Sequence, residues 1–322
     1  MSFTLIVDSN CDLSQSLLKQ YDIGVIPTQY YIKGAQFQEY RDTDEINEFY
    51  RTNKKLTAKN YSADASTVNT IKNIILEKVE QNPENDILIQ TLMRTRSKTY
   101  ENTNLAISAI LSIEKYKKLN IKVMNTGTAY AGQALFACHS IALRNKGVSM
   151  IETRRRVEAM VDNMRSYVMP PNIKYAREQV AKKGVTADGG VSWLTAQVGS
   201  ALGVVPIVLL RQNASTALAK ARGIELALEK IVDDIKLNVD NLLSPFICIS
   251  YAGKMDELLN NPSYLKLLGV IHDKKIKLVV TPMCVAGGIV LGLGCVSIAY
   301  ATRAPFNEDA AKELKLNKVS SV

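Results

Sequence analysis

The spacing of apolar positions along the chain changes repeatedly, and each spacing identifies an element. Residues 3–7 form a short apolar run that stops at the turn signal Asp8-Ser9-Asn10. Residues 13–21 then read as a helix and 24–32 as a strand carrying Tyr30 and Tyr31. A helix is expected over 44–52. Val68, Ile71, Ile74, Ile75 and Val79 recur at helical spacing and predict another over 66–81. Strand signals at 86–92 and 121–125 alternate with helix signals at 99–116 and 129–146. Alternation of this kind predicts a parallel sheet covered on both faces.

Over 149–165, Val157, Met160, Val161 and Met164 share one stripe, with Arg155 opposite it and Arg154 and Arg156 on its flanks. This predicts a long amphipathic connector whose three arginines form a solvated face. Met169-Pro170-Pro171 cannot continue a helix. The expected division is therefore an N-terminal α/β domain, 1–165, and a mixed C-terminal α/β domain, 166–322. In the second half, a polar, glycine-bearing stretch at 182–190 leads into a helix at 192–202. Strands are expected at 206–211, 216–221, 245–251, 276–281 and 296–301, with helices at 224–237 and 254–267. Residues 279–301 lack charge and imitate a membrane span, but Pro282, Gly287, Gly288, Gly292 and Gly294 interrupt them. Two buried strands joined by a glycine loop fit that composition better.

Composition narrows the class. A length of 322 residues with 47% hydrophobic and 22% charged side chains describes a globular chain with room for two domains. The net charge of +9 favours an acidic partner, whether protein, nucleic acid or membrane surface. Aromatic residues are only 7% and no nucleic-acid motif occurs, so nucleic acid is not the expected partner. Cys11, Cys138, Cys248, Cys284 and Cys295 are widely spaced with no CxxC pair, which predicts buried, reduced thiols. No basic stretch precedes the first apolar run and Asp8 ends it, unlike a secretion signal. A cytoplasmic protein is expected.

His139 and His272 are the only histidines, and His139 falls within an apolar helical pattern that suits a core residue. A metal centre or histidine-based triad has little support, and no cofactor is expected. No phosphate-binding loop follows the first strand, and Gly292-Leu293-Gly294 comes too late for a dinucleotide fold. What remains is a set of polar turns: Asp8-Ser9-Asn10, Tyr61-Ser62-Ala63-Asp64, Arg94-Thr95-Arg96-Ser97 and Asn125-Thr126-Gly127-Thr128. Several follow predicted parallel strands, the edge where open α/β sheets bind ligands. Ser97 precedes a helix, so it either caps that helix or joins the free N–H groups in holding an anion. Ser62 carries the same two readings. An enzyme acting on a small anionic substrate through Asp8, Ser9 and Asn125 is the alternative function, although no nucleophile–base pair is evident.

The ordered turns carry a family resemblance. Ile6-Val7-Asp8-Ser9-Asn10-Cys11-Asp12-Leu13 resembles the "VTDSTADL" opening of the DegV family, and Gly24-Val25-Ile26-Pro27 its second strand. Tyr61-Ser62-Ala63-Asp64-Ala65-Ser66 is similar to "TSAPSP", Ser97-Lys98-Thr99-Tyr100 to "SGTY", and Val123-Met124-Asn125-Thr126 to "VIDS". Later come Asp188-Gly189-Gly190-Val191-Ser192 for "GGRIS" and, seven residues on, Gly199 to Ile207 for "GSLLNIKPI". Ala221-Arg222-Gly223 stands for "VRG" and Gly292-Leu293-Gly294 for "GPG".

The resemblance implies two α/β domains with a long-chain fatty acid held between them and no catalysis by this chain. It also implies a kinase partner, because some members are the acyl-carrying subunit of a bacterial fatty acid kinase. Transient contact with a membrane surface would accompany that role. By position, Ser62 and Ser97 would hydrogen-bond the carboxylate, with Thr57 a second candidate for the first position. A sixteen-carbon tail buried at ~0.8 kcal/mol per methylene offers roughly 10 kcal/mol before ordering costs. The chain departs from the family at Lys98, Gly190, Val205, Tyr251 and Val290, where the pattern has glycine, arginine, lysine, histidine and histidine. Lys98 would either add a cation near the head group or point to solvent.

Overall fold

The structure is a computed structural model that describes residues 3–182, 203–304 and 306. Its first layer is a four-stranded parallel sheet built from β1 (Phe3–Asp8), β2 (Gly24–Ile26), β6 (Asp86–Thr91) and β7 (Ile121–Asn125), in the order β2-β1-β6-β7. Chain progression reverses at β1 and β6, which opens a crevice at the carboxyl ends of those two strands. Helices α1 (Gln15–Gln20) and α2 (Thr43–Thr52) precede α3 (Val68–Gln81) and α4 (Thr99–Leu111). Ile71 and Ile75 of α3 and Ile107 and Ile110 of α4 pack on Ile6, Ile87 and Ile89 of the sheet.

The expected strand over 24–32 is two strands in different sheets. Pro27 lies between them; it has no N–H to give to a ladder, and the chain changes sheet there. The second piece, β3 (Thr28–Ile32), pairs antiparallel with β4 (Ala35–Glu39) and β5 (Tyr61–Asp64).

A six-stranded sheet, β10-β9-β8-β13-β11-β12, forms the second half from β8 (Met164–Met169), β9 (Val204–Arg211), β10 (Ala214–Arg222), β11 (Phe246–Tyr251), β12 (Lys277–Pro282) and β13 (Val296–Ala301). Here the expected long connector is corrected. Helix α6 (Met150–Ala159) stops early, and Met164 begins a strand. Because β8 lies between β9 and β13, it is buried nearly throughout and loses the alternation that marks a half-exposed strand. Arg154 pairs with Glu158, and Arg155 and Arg156 with Glu152, on the solvated face of α6.

After α7 (Ile173–Lys182) and α8 (Ile224–Asn238), the expected helix over 254–267 is α9 (Met255–Leu259) and α10 (Pro262–Ile271). Asn261 caps the second by accepting from the Ser263 and Tyr264 N–H groups at 2.9 and 3.3 Å, and Pro262 fills the first turn. The expected glycine loop before β13 is α11 (Val285–Leu291). Its glycines serve close packing: a Cβ on Gly288 would lie 2.4 Å from the Tyr50 hydroxyl, and one on Gly287 2.7 Å from the Tyr130 ring. The expected helix at 192–202, and the "GGRIS"-like and "GSLLNIKPI"-like motifs around it, fall wholly or partly outside the described residues. Among the described residues no helix is long and apolar enough to cross a membrane.

Helix α5 (Ala131–Arg144) joins the two large sheets. Residues 131–138 are all buried, and one core combines this helix with Leu5, Val7 and Leu88 on one side and Phe246, Cys248 and Ala299 on the other. A helix apolar over most of its surface is what such a sandwiched position demands. All five cysteines are buried and unpaired.

A buried charge cluster ties the same layers together. Arg41 forms ion pairs with Asp12 at 3.2 Å and Glu39 at 3.5 Å, and donates to the carbonyls of Leu13 and Pro282, both at 3.0 Å. Asp12 accepts from the Cys284 N–H at 2.9 Å. One guanidinium cannot neutralise two buried carboxylates, and burial, opposed by Arg41, pushes Glu39 up to about 7. A carboxyl raised this way stabilises the fold fully below its unfolded value near 4.5 and loses that contribution as pH rises through about 7. Relative to wild type, Glu39→Gln should therefore gain stability between pH 5 and pH 8, by up to about 3 kcal/mol. Urea denaturation of both proteins at the two pH values measures this.

Candidate functional site

A cavity opens at the carboxyl ends of β1 and β6, where the strand order reverses. Its empty space is about 820 Å³ with the open mouth counted. Leu92, Tyr130, Val168, Leu210, Val290 and Leu291 supply much of the apolar wall. Arg96, Ser97, Ser215, Gln179, Asn10 and Thr28 supply most of the polar groups, and Asp64 is the acidic one. The wall thus combines β8, β9 and β10 of the second sheet, α7, α11 and the first sheet's terminal turns. An apolar cleft with a few fixed polar groups is the usual form of a small-molecule site.

The turn before α4 is the most polar part. Ser97 Oγ accepts from the Thr99 N–H at 3.2 Å and lies 2.8 Å from Thr99 Oγ1; it sits one residue before the N-cap Lys98, holds the first N–H of α4 and borders the cavity. The expected capping role is thus met only in part, since the N-cap itself is Lys98 and forms no side-chain cap bond. Lys98, next to it, is exposed. Arg96 Nη2 donates to Ser215 Oγ at 2.7 Å, and burial lowers the guanidinium pKa, opposed by the nearby Tyr130.

Ser62 is half-buried in β5, paired opposite Tyr31. Its neighbours Ala63 and Asp64 line the cavity, whereas Ser62 is not among the described lining residues. Thr57 is half-buried just before β5 and also lies outside that lining.

Asp8, Ser9 and Asn125 hold backbone. The Asp8 carboxylate accepts from the N–H groups of Leu92 at 2.6 Å and Asn10 at 2.9 Å, and burial raises its pKa to about 6. Ser9 Oγ accepts from the Thr28 N–H at 2.8 Å, and Asn125 Oδ1 accepts from the N–H groups of Arg94 and Gly127. These side chains fix the strand ends that frame the cavity. His139 is half-buried with Nδ1 3.3 Å from Ser244 Oγ, and desolvation, aided by Lys146 and Arg156, lowers its pKa. Among the described residues no cluster of His, Cys, Asp or Glu could hold a metal ion.

Sequence reasoning named the turn containing Arg96 but assigned the residue no role; its position beside Ser97 was the available signal. Ser215 and Gln179 reach the cavity from remote elements and carry no local signature. Tyr130 has φ 57° and ψ −126°, an uncommon backbone conformation for a tyrosine. It is held by a hydrogen bond from its N–H to the Asn10 carbonyl at 2.9 Å.

A family model described as an uncharacterised protein of the DegV family matches residues 2–303. This chain belongs to the DegV family. A DegV domain-containing protein of Xanthomonas axonopodis pv. citri is 26% identical over 312 residues, covering 94% of this chain and 98% of the relative. Among solved structures, a stearic acid-binding protein from Eubacterium ventriosum superposes with a TM-score of 0.76 at 17% identity, covering 94% of this chain and 98% of its own. A DegV lipid-binding protein from Thermotoga maritima gives 0.72 at 18%, covering 95% and 100%.

In this DegV chain, a hairpin clamps the cavity turn. Gln212 and Asn213, at φ 52° and 64°, form the two-residue turn between β9 and β10. Asn213 accepts from Thr95 Oγ1 through its carbonyl at 2.7 Å, and its N–H donates to the Gly127 carbonyl at 3.0 Å. Gly127 sits at φ +67°, and a Cβ there would lie 3.2 Å from the Asn213 nitrogen. Gly127→Ala should destabilise the protein by about 1–2 kcal/mol from the left-handed backbone alone. Chemical denaturation checks the value, and protection of the Asn213 amide in hydrogen exchange should fall with it.

Proposed function

We propose that this protein binds one long-chain fatty acid in the cavity, with the carboxylate at the Ser97 turn and the tail along the apolar wall. Stearic acid is the ligand named for the Eubacterium ventriosum relative of the same fold. The observation that carries the reading is the placement of Ser97 and Arg96 on the wall of a largely apolar cleft at the strand-order reversal. Val290, at a position where the family pattern has a histidine, adds to the apolar wall. The acid is not transformed by this chain; it is carried, and presentation of the carboxylate to a fatty acid kinase is the role we infer for the complex. Loading and release would use transient contact with a membrane surface.

Ser62 is the second hydroxyl proposed for the carboxylate, and its place in β5 makes it the comparison for Ser97. Native mass spectrometry of freshly purified protein should show one added fatty acid that is lost on denaturation. Ser97→Ala should weaken palmitate binding about 10–100-fold, the range of one hydrogen bond to a charged group. Ser62→Ala should weaken it less, since Ser62 is not among the described lining residues. A ligand-free mass together with no uptake of added palmitate or oleate would count decisively against the reading.

A further inference from the structure

The only arginine among the described lining residues is Arg96, and it reaches the cavity beside Ser97. Its position is set from the other half of the chain: Nη2 donates to Ser215 Oγ on β10 at 2.7 Å, while the neighbouring Thr95 donates to the carbonyl of Asn213 at the hairpin tip. A guanidinium fixed in this way costs a bound anion little further ordering. It can offer a carboxylate charge-assisted hydrogen bonds, which an alcohol or ester cannot accept with equal strength. We propose that Arg96 is the residue that makes the site select lipids with an anionic head group over neutral lipids of the same chain length.

The inference rests on the fatty-acid reading and deepens it. Tail burial favours any sixteen-carbon lipid equally, so discrimination between acid and alcohol must arise at the head group. Asp64, the acidic residue in the wall, is exposed at the end of β5, where solvent screens it. The polar groups in reach therefore favour an anion.

The test compares palmitate with 1-hexadecanol on delipidated full-length protein at pH 8, using wild type, Arg96→Met and Arg96→Lys. Wild type should prefer palmitate by at least about tenfold, as loss of one charge-assisted interaction implies. Arg96→Met should lose most of that preference while its hexadecanol affinity stays within about twofold, and Arg96→Lys should keep part of it. Ser215→Ala leaves the guanidinium in place but removes its acceptor, and should lower the preference with a smaller change in fold stability. An unchanged ratio in Arg96→Met, or equal loss of both ligands with an intact thermal transition, overturns the assignment. Binding of neither lipid to wild type overturns the fatty-acid reading itself.

Discussion

Arg41 occupies a place where three parts of the chain meet: the turn after β1, the end of β4 and the junction of β12 with α11. Its charge is buried, so every contact it makes has to be kept in the folded state. Removing one partner of such a cluster strands a desolvated charge, which costs about 3–5 kcal/mol, whereas the intact cluster adds little net stability. Its value is geometric. Asp12 holds the Cys284 N–H and Tyr50 donates to the Met283 and Cys284 carbonyls, so the start of α11 is fixed to the first half of the chain. The cavity wall formed by Ala286, Val290 and Leu291 follows from that attachment.

A second attachment works from the opposite side. The β9–β10 hairpin reaches the turns after β6 and β7 through Asn213, and Asn213 also accepts from Asn125 Nδ2 at 2.8 Å. Helix α5, buried along most of its length, packs against both large sheets, so they cannot slide without opening its core. The cavity is thus bounded by two polar clamps. A cleft placed in this way can be lined by small and branched apolar side chains without weakening the joints that hold the halves together.

The N-terminal parallel sheet was legible because its strands and helices follow one another with clear periods, and β1, β6 and β7 lie close to their expected bounds. Legibility failed where burial or pairing removed the period. Met164–Met169 is apolar or small at most positions because it is central to its sheet, and a helical stripe could be drawn through its first residue. The glycines of α11 looked like a loop because glycine disfavours helix in isolation, whereas here close contact with Tyr50 and Tyr130 requires it. At the site, Ser97 was legible from its place between a strand and a helix. Arg96 shares that turn, but nothing local distinguishes a lining arginine from a solvated one. Ser215 enters only through the fold of a hairpin more than a hundred residues away in the chain.

On the proposed reading, the hydrogen-bonding capacity of Ser97 decides what it can offer a ligand. A hydroxyl has one donor hydrogen and can accept twice. Ser97 Oγ accepts the Thr99 N–H, and either hydroxyl of the Ser97–Thr99 pair can be the donor. When Thr99 donates, Ser97 keeps its bond from the Thr99 N–H, fills its acceptor sites and still has a hydrogen to donate. The bond to the Thr99 N–H would, on the proposed reading, aid binding, because it fixes the oxygen at the cavity edge and leaves donation as the one remaining use of the hydroxyl. The first turn of α4 adds the positive end of a helix dipole at the same place. A carboxylate arriving there would, on the same proposed reading, meet donors already held by the fold, and most of the ordering cost would fall on the ligand's tail, where burial of methylenes offsets it.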